Sequence, residues 1–84
     1  MDYHDKKWAV DWDIWHYDSD LSEKELDAYV QKIRKALTAN GNVGVVSHEC
    51  EAIALWGDAN GDNAQLEKLL DELAGHGCYV EEVI

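Results

Sequence analysis

Near the start of the chain, apolar positions alternate with positions that include two Asp residues. This alternation constrains the fold more than any other feature of the sequence. Over residues 7–17, one set of alternate positions holds Trp8, Val10, Trp12 and Ile14, and the other holds Ala9, Asp11, Asp13 and Trp15. Successive side chains of a β-strand point to opposite faces of the sheet, so a period of two is typical of a strand. The tract therefore predicts a half-buried strand with one apolar side and one acidic side.

A strong helix signal follows this strand. Ser22 and Glu25 have the spacing of a capping box, in which each side chain bonds the backbone N–H of the other residue. Apolar residues then recur at helical spacing in a single stripe formed by Leu26, Tyr29, Val30, Ile33 and Leu37. The Asn40-Gly41 pair predicts the end of this helix.

The middle of the chain predicts a β-hairpin. Strands are expected over residues 42–48 and 52–56, and the polar tract 47–51 is expected to turn the chain between them. Residues 57–63 are rich in Gly, Asp and Asn, which indicates a loop.

The last part of the chain predicts a second helix and a fourth strand. Asp62 and Gln65 resemble a second capping box at the start of this helix. Its apolar stripe consists of Leu66, Leu69, Leu70 and Leu73. Gly75 and Gly77 are expected to stop the helix, and residues 78–84 are expected to form a short strand.

The resulting order of strand, helix, strand, strand, helix and strand resembles that of ferredoxin-like domains across nearly the whole chain. The resemblance implies an α+β sandwich whose four-stranded antiparallel sheet has the spatial order fourth, first, third, second. Both helices are expected to cover one face of the sheet and to leave the other face open. With 84 residues, the chain is expected to form one acidic domain over residues 1–84.

The acidic balance of the chain limits the partners that it can have. It carries 18 Asp and Glu against 7 Lys and Arg, a formal net charge of -11. Such a domain repels nucleic acid and anionic membranes, and it attracts basic protein surfaces within about a Debye length. A hydrophobic content of 46% is too high for a disordered acidic tail. Without a membrane-spanning run, a signal-peptide pattern or a dense set of Cys, a cytoplasmic location is expected.

In the expected sheet, the acidic side of the first strand and one side of the third strand belong to the open face. The residues predicted to bind a partner lie on this face or at the corner after the first strand: Asp11, Asp13, Trp15, Asp18, Asp20, Trp56 and Glu81. RNA-recognition domains with this element order carry stacking aromatic residues on the same two strands within basic surroundings. Here the surroundings are acidic, which favours a protein partner. The simpler alternative is that Asp11 and Asp13 only solvate an exposed face.

No recognisable catalytic motif accompanies the charge, so neither catalytic residues nor an enzyme activity are predicted. In size, charge and lack of catalytic motifs, the chain resembles small acidic phage inhibitors, such as anti-CRISPR proteins, and nuclease-immunity proteins. The resemblance implies a DNA mimic that inhibits a basic nucleic-acid-binding protein or complex by occupying its nucleic-acid site. It implies no direct contact with nucleic acid or membrane.

Two His-x-Cys pairs are weaker candidates for metal binding. On a strand, His48 and Cys50 would point the same way, as would His76 and Cys78. The predicted topology places the two pairs at opposite edge strands, three strand spacings or about 14 Å apart. A shared metal would need both loops to fold inward, so no cofactor is predicted. Residues 58–63 resemble the start of a calcium loop, but Asn63 stands at the sixth position, where such a loop has Gly, and Leu69 stands at the twelfth, where it has Glu, so calcium binding is rejected.

Two further interpretations remain open. The chain could be a self-associating structural or regulatory domain that dimerises through the open face or pairs along its edge strands. Its acidic excess could also serve solubility alone, as in halophilic proteins. Clustering of the acidic residues on one face would favour a binding role over plain solubility.

Overall fold

The computed structural model describes residues 9–58 and 63–83. Its α-helices and β-strands are β1 (Val10–Trp15), α1 (Glu23–Leu37), β2 (Gly44–Glu49), β3 (Ala52–Gly57), α2 (Ala64–Gly75) and β4 (Tyr79–Glu82), and a short 3-10 helix, Ala39–Gly41, follows α1. The strands form one antiparallel sheet in the order β2-β3-β1-β4. These findings confirm the predicted α+β class, the ferredoxin-like βαββαβ order and the spatial order of the four strands.

The start of α1 is set by the predicted capping box. The Glu25 N–H donates to the Ser22 hydroxyl at 3.2 Å, and the Ser22 N–H donates to the Glu25 carboxylate at 3.1 Å. Because the second bond stabilises the charged form, it lowers the pKa of Glu25. The helix ends at Leu37, and the backbone then takes left-handed φ values of 61° at Asn40 and 79° at Gly41, where the stop is predicted.

Strand β1 is shorter than the predicted strand over residues 7–17. Residues 7 and 8, and with them Trp8, lie outside the described residues. The strand ends at Trp15 because the chain turns at the next residue. There the His16 N–H donates to the Glu51 carbonyl at 2.8 Å, and the His16 carbonyl accepts from the Ser19 N–H at 3.1 Å. The period of two runs on past this turn, so the pattern alone does not mark the end of the strand.

The hairpin turn between β2 and β3 is tighter than predicted. Glu49 pairs with Ala52, so β2 runs through most of the polar tract and only Cys50 and Glu51 form the turn. The predicted turn over residues 47–51 is therefore too long, because polar side chains on an open sheet face resemble those of a loop. Cys50 has a φ of 51°, the left-handed conformation that a two-residue hairpin turn needs at its first position.

Helix α2 begins after a different cap from the predicted one. Its N-cap is Asn63, whose side chain makes no capping hydrogen bond. The predicted cap, Asp62, lies outside the described residues. The helix ends at Gly75, and Gly77 takes a left-handed φ of 93° at the predicted stop.

Strand β4 is also shorter than the predicted residues 78–84. Cys78 does not belong to the strand, because its N–H donates back to the Leu73 carbonyl of α2 at 3.0 Å. The strand ends at Glu82, and Ile84 lies outside the described residues.

The core lies between the sheet and the two helices. Its buried apolar residues are Val10, Ile14, Leu26, Val30, Ile33, Leu37, Ile53, Leu55, Leu66, Leu69, Leu70, Leu73 and Cys78. The set contains both predicted helical stripes except Tyr29, which packs against the core but stays partly exposed. No polar or charged residue in the described part of the chain is buried. The acidic residues described there therefore lie at the surface, on either side of one apolar layer.

Candidate functional site

The face of the sheet that the helices leave uncovered is the candidate site. Cross-strand partners share a face, so the strand register arranges residues of β2, β3, β1 and β4 in rows across it. The rows are Val45, Trp56, Asp11 and Val83; then Ser47, Ala54, Asp13 and Glu81; then Glu49, Ala52, Trp15 and Tyr79. Val83 belongs to the first row because its N–H donates to the Asp11 carbonyl at 2.9 Å. We call these residues the open face.

The open face is acidic and carries no Lys or Arg. Its carboxylates are Asp11, Asp13, Glu49 and Glu81. The Lys and Arg residues of the described part all lie on the helices: Lys24, Lys32, Arg34 and Lys35 on α1, and Lys68 on α2. With six acidic and five basic residues, the two helices together are almost neutral. The negative charge is therefore concentrated on the open face relative to the helix layer, which favours a binding role over plain solubility.

Like charges face each other on the open face. Asp13 lies directly opposite Glu81, and Asp11 lies two residues away on the same side of β1. Burial raises the pKa of Asp11, and repulsion from Asp13 raises it further. Like charges directly opposite each other in a sheet are destabilising, so this arrangement lowers the stability of the free protein. A basic partner surface would relieve the repulsion.

Three aromatic side chains border these carboxylates. Trp15 and Tyr79 are direct neighbours across β1 and β4, with exposed fractions of 39% and 59%. Trp56 is half-buried in the outermost row, directly across from Asp11. Exposed aromatic residues are typical anchors of protein interfaces, because each buries a large area on binding.

The structure brings most of the predicted partner-binding residues together. Those on the open face are Asp11, Asp13, Trp15, Trp56 and Glu81. Asp18 and Asp20 lie in the loop between β1 and α1 instead. The Asp20 carboxylate lies 3.0 Å from the Nδ1 atom of His76, and this contact ties the loop to the turn before β4. The two loop residues extend the acidic surface at one edge, and they are not part of its centre.

Among the charged and aromatic members of the open face, two are missing from the sequence prediction. Glu49 is assigned there to the turn, although Val45, Ser47 and Glu49 alternate as the residues of one strand side do. Tyr79 stands two residues before Glu81, so it shares that residue's side of β4 by the same rule. The same alternation of side chains, applied to β2 and β4, would have predicted both Glu49 and Tyr79 on the open face.

A separate group of polar side chains surrounds a cleft on the helix-covered side of the sheet. The Nε2 atoms of His16 and His48 lie 3.0 Å apart, and the two rings meet edge to face. The Nδ1 atom of His48 lies 3.7 Å from the Asp27 carboxylate. Burial lowers the pKa of His16, and the neighbouring His48 lowers it further. The cleft has a volume of about 420 Å³, and Glu23, Leu26 and Cys50 complete its wall.

The two His-x-Cys pairs lie in different surroundings. His48 belongs to β2 and Cys50 to the turn that follows it, at one edge of the sheet, whereas His76 and Cys78 precede β4 at the other edge. Cys50 is exposed, but Cys78 is buried, and burial raises the pKa of its thiol. Within residues 9–58 and 63–83, no group of three or more His, Cys, Asp or Glu side chains is placed to hold a metal ion.

Three comparisons bear on the identity of the chain. No protein-family model, no curated protein and no solved structure matches it. Neither helix in the described part of the chain combines the length and the apolar character needed to cross a membrane. The chemistry of the open face is therefore the main guide to function.

Proposed function

We propose that this protein binds a basic nucleic-acid-binding protein, or a complex that contains one, and inhibits it by occupying its nucleic-acid site as a DNA mimic. The observation that supports this proposal is the open face, where four carboxylates and three aromatic rings lie together without a Lys or Arg. The protein acts by binding alone, without a catalytic step or a cofactor, and it does so in the cytoplasm.

The distribution of charge favours a basic protein over nucleic acid as the partner. A chain with a formal net charge of -11 repels phosphate groups. Proteins that bind nucleic acid present Lys and Arg side chains to its phosphates, and those side chains would be attracted to the open face. Complementary charge accelerates the encounter and rejects partners of the wrong sign. Trp15 and Tyr79 add the apolar contact area that charge alone does not supply.

The sheet holds its carboxylates at fixed spacings, as mimicry of a charged backbone requires. Asp11 and Asp13 are two residues apart on one strand, which separates their Cα atoms by about 6.8 Å. Glu81 lies across from Asp13, one strand spacing or about 4.8 Å away. A partner surface built to contact regularly spaced phosphates therefore meets a regular array of negative charges on a rigid support.

The test compares two charge-reversed variants of equal net charge. Asp11→Lys with Asp13→Lys changes the open face, and Glu67→Lys with Asp71→Lys changes the exposed surface of α2. The immobilised wild-type protein and both variants capture proteins from a nuclease-treated lysate of the source cell or its host. Short duplex DNA is then added to release the captured material. Circular dichroism establishes that both variants are folded.

We expect the wild-type protein and the α2 variant to capture the same nucleic-acid-binding protein, and the open-face variant to lose it. Duplex DNA should release the captured protein, and the affinity should fall as the salt concentration rises. Capture that survives charge reversal on the open face, or that DNA does not release, would contradict the proposal.

Self-association through the open face is the second candidate function, and the exposed pair of Trp15 and Tyr79 favours it. Stacking two copies would bring eight carboxylates together across the interface, which opposes it. Light scattering over a range of concentrations separates the two candidates. A constant monomer mass excludes self-association, whereas a dimer that Trp15→Ser dissociates would favour it over the inhibitor.

A further inference from the structure

We propose that His16 and His48 form the ligand pair of an open binding site for a divalent transition-metal ion, with Zn²⁺ as the ion to test. The site lies on the helix-covered side of the sheet, away from the open face, so it is independent of the proposed function. It also differs from a site built on the two His-x-Cys pairs. One ligand comes from the residue after β1 and the other from β2.

The two imidazole rings meet through a hydrogen bond in which one Nε2–H donates to the other Nε2 atom. Their Nε2 atoms lie 3.0 Å apart. In tetrahedral zinc coordination with Zn–N distances of about 2.0–2.1 Å, two nitrogen ligands lie roughly 3.3 Å apart. The rings therefore need to separate by only about 0.3 Å to accept an ion between these two atoms.

The His48 ring has an acceptor near its other nitrogen. The Asp27 carboxylate lies 3.7 Å from the Nδ1 atom of His48, and a carboxylate at this position orients histidine ligands in many metal sites. Binding of the ion requires both rings to carry their proton on Nδ1, so that the cation replaces the proton shared between the two Nε2 atoms and accepts both of their lone pairs.

The cleft around the two rings has room for the ion and its water. Its volume is about 420 Å³, and the carboxylates of Glu23 and Asp27 in its wall attract a cation. No larger ligand group is present within residues 9–58 and 63–83, so water would fill the remaining coordination positions, and the site has one protein ligand fewer than the three of catalytic zinc sites. Imidazole nitrogen selects ions such as Zn²⁺, Cu²⁺ and Ni²⁺ over Mg²⁺ and Ca²⁺, which prefer oxygen ligands.

The test is a calorimetric titration of the untagged protein with Zn²⁺. All proteins carry Cys50→Ser, which removes the exposed thiol as a competing ligand. His16→Gln and His48→Gln each remove one imidazole and keep a polar side chain. His4→Gln and His76→Gln are the matched controls, because they change the other two histidines of the chain. Circular dichroism and urea unfolding establish that each variant is folded.

We expect one Zn²⁺ per chain and a loss of affinity of roughly tenfold or more in His16→Gln and in His48→Gln, with no comparable loss in the two controls. Asp27→Asn should weaken binding by about tenfold or more, because it removes the carboxylate that orients His48. In nitrogen NMR spectra of the imidazole rings, Zn²⁺ should shift the Nε2 signals of His16 and His48 and leave those of His76 unchanged. This readout separates a ligand from a residue that only supports the fold.

Three results would overturn the site. These are the absence of saturable binding, an equal loss of affinity in His4→Gln or His76→Gln, and unchanged Nε2 signals of His16 and His48 at saturating Zn²⁺. The titration contains no partner protein, so each of these results leaves the proposed inhibitor function as it stands.

Discussion

Asp13 of β1 and Glu81 of β4 lie directly opposite each other on the open face, and the pKa of Asp11 on the same side of β1 is raised. No Lys or Arg of the described part lies on this face to offset the repulsion. Cross-strand pairs stabilise a sheet when their charges are opposite, and they destabilise it when the charges are alike. The like charges of the open face therefore lower the folding stability of the protein.

Neutralising either member of the Asp13–Glu81 pair should stabilise the protein. We expect Asp13→Asn and Glu81→Gln each to raise the free energy of unfolding by about 0.5 kcal/mol, since opposed like charges are destabilising and cross-strand pairs typically contribute roughly 0.2–1 kcal/mol. The double variant should gain less than the sum, because the shared repulsion is removed only once. Urea unfolding measures these changes. Glu49→Gln is the control, because Glu49 lies opposite an alanine; an equal gain there would indicate a general effect of net charge.

Asp11 should make the stability of the fold rise on acidification. Burial and Asp13 raise the pKa of Asp11 in the folded state above its ordinary value of 3.8. At a pH between 3.8 and this raised pKa, the folded state therefore binds more protons than the unfolded state. The resulting loss of stability is fully present above the raised pKa, and it disappears as the pH falls below 3.8. Asp11→Asn should therefore be more stable than the wild-type protein at neutral pH and lose this advantage at low pH.

Urea unfolding of the wild-type protein and Asp11→Asn over a pH series tests this expectation. The quantity to compare is the difference between the two free energies of unfolding, because it cancels the contributions of the carboxylates that do not interact with Asp11. A difference that stays constant from neutral pH to below 3.8 would show that Asp11 does not carry a raised pKa in the folded state.

The two thiols should differ in reactivity. Cys50 is exposed in the hairpin turn, whereas Cys78 is buried and its pKa is raised by burial. Since the thiolate is the reactive species, a thiol reagent should modify one Cys of the native chain quickly and the other slowly. Both should react quickly in denaturant. Cys50→Ser should remove the fast phase, and a fast phase that persists in this variant would contradict the buried position of Cys78.

The order of the elements is predictable because several local signals agree. The capping box at Ser22, the alternation in β1 and the two apolar helical stripes each specify one element, and few topologies accommodate that order. The ends of the strands are harder to predict. β1 stops where the His16 N–H bonds to the distant Glu51 carbonyl, and no local pattern announces a bond across 35 residues of chain.

The two candidate sites differ in how far the sequence reveals them. The centre of the open face follows from the period of two, because Asp11, Asp13 and Trp15 share one side of a single strand. The histidine cleft does not follow from any pattern. His16 and His48 are 32 residues apart, and they meet only because β3 pairs with both β1 and β2 and α1 closes the space above them.

Gly44 marks a close approach of β2 to α1. A Cβ atom at this position would lie 2.4 Å from the Cγ atom of Leu37, whose side chain is fully buried. Because Leu37 cannot move without disturbing the core, Gly44→Ala should lower the free energy of unfolding by about 1–3 kcal/mol, as overpacking typically does. Gly75 at the end of α2 is the matched control, since a Cβ atom there meets nothing within 4 Å.

Gly75→Ala should instead raise the free energy of unfolding by about 0.4–1 kcal/mol, because it restricts the unfolded chain without straining the folded one. Urea unfolding of both variants compares the same added methyl group at two positions. A loss of stability at both would assign the effect to the substitution itself and not to the contact with Leu37. In a Leu37→Ala background, Gly44→Ala should cost less than in the wild-type protein, because the side chain that the new methyl group would strike is gone.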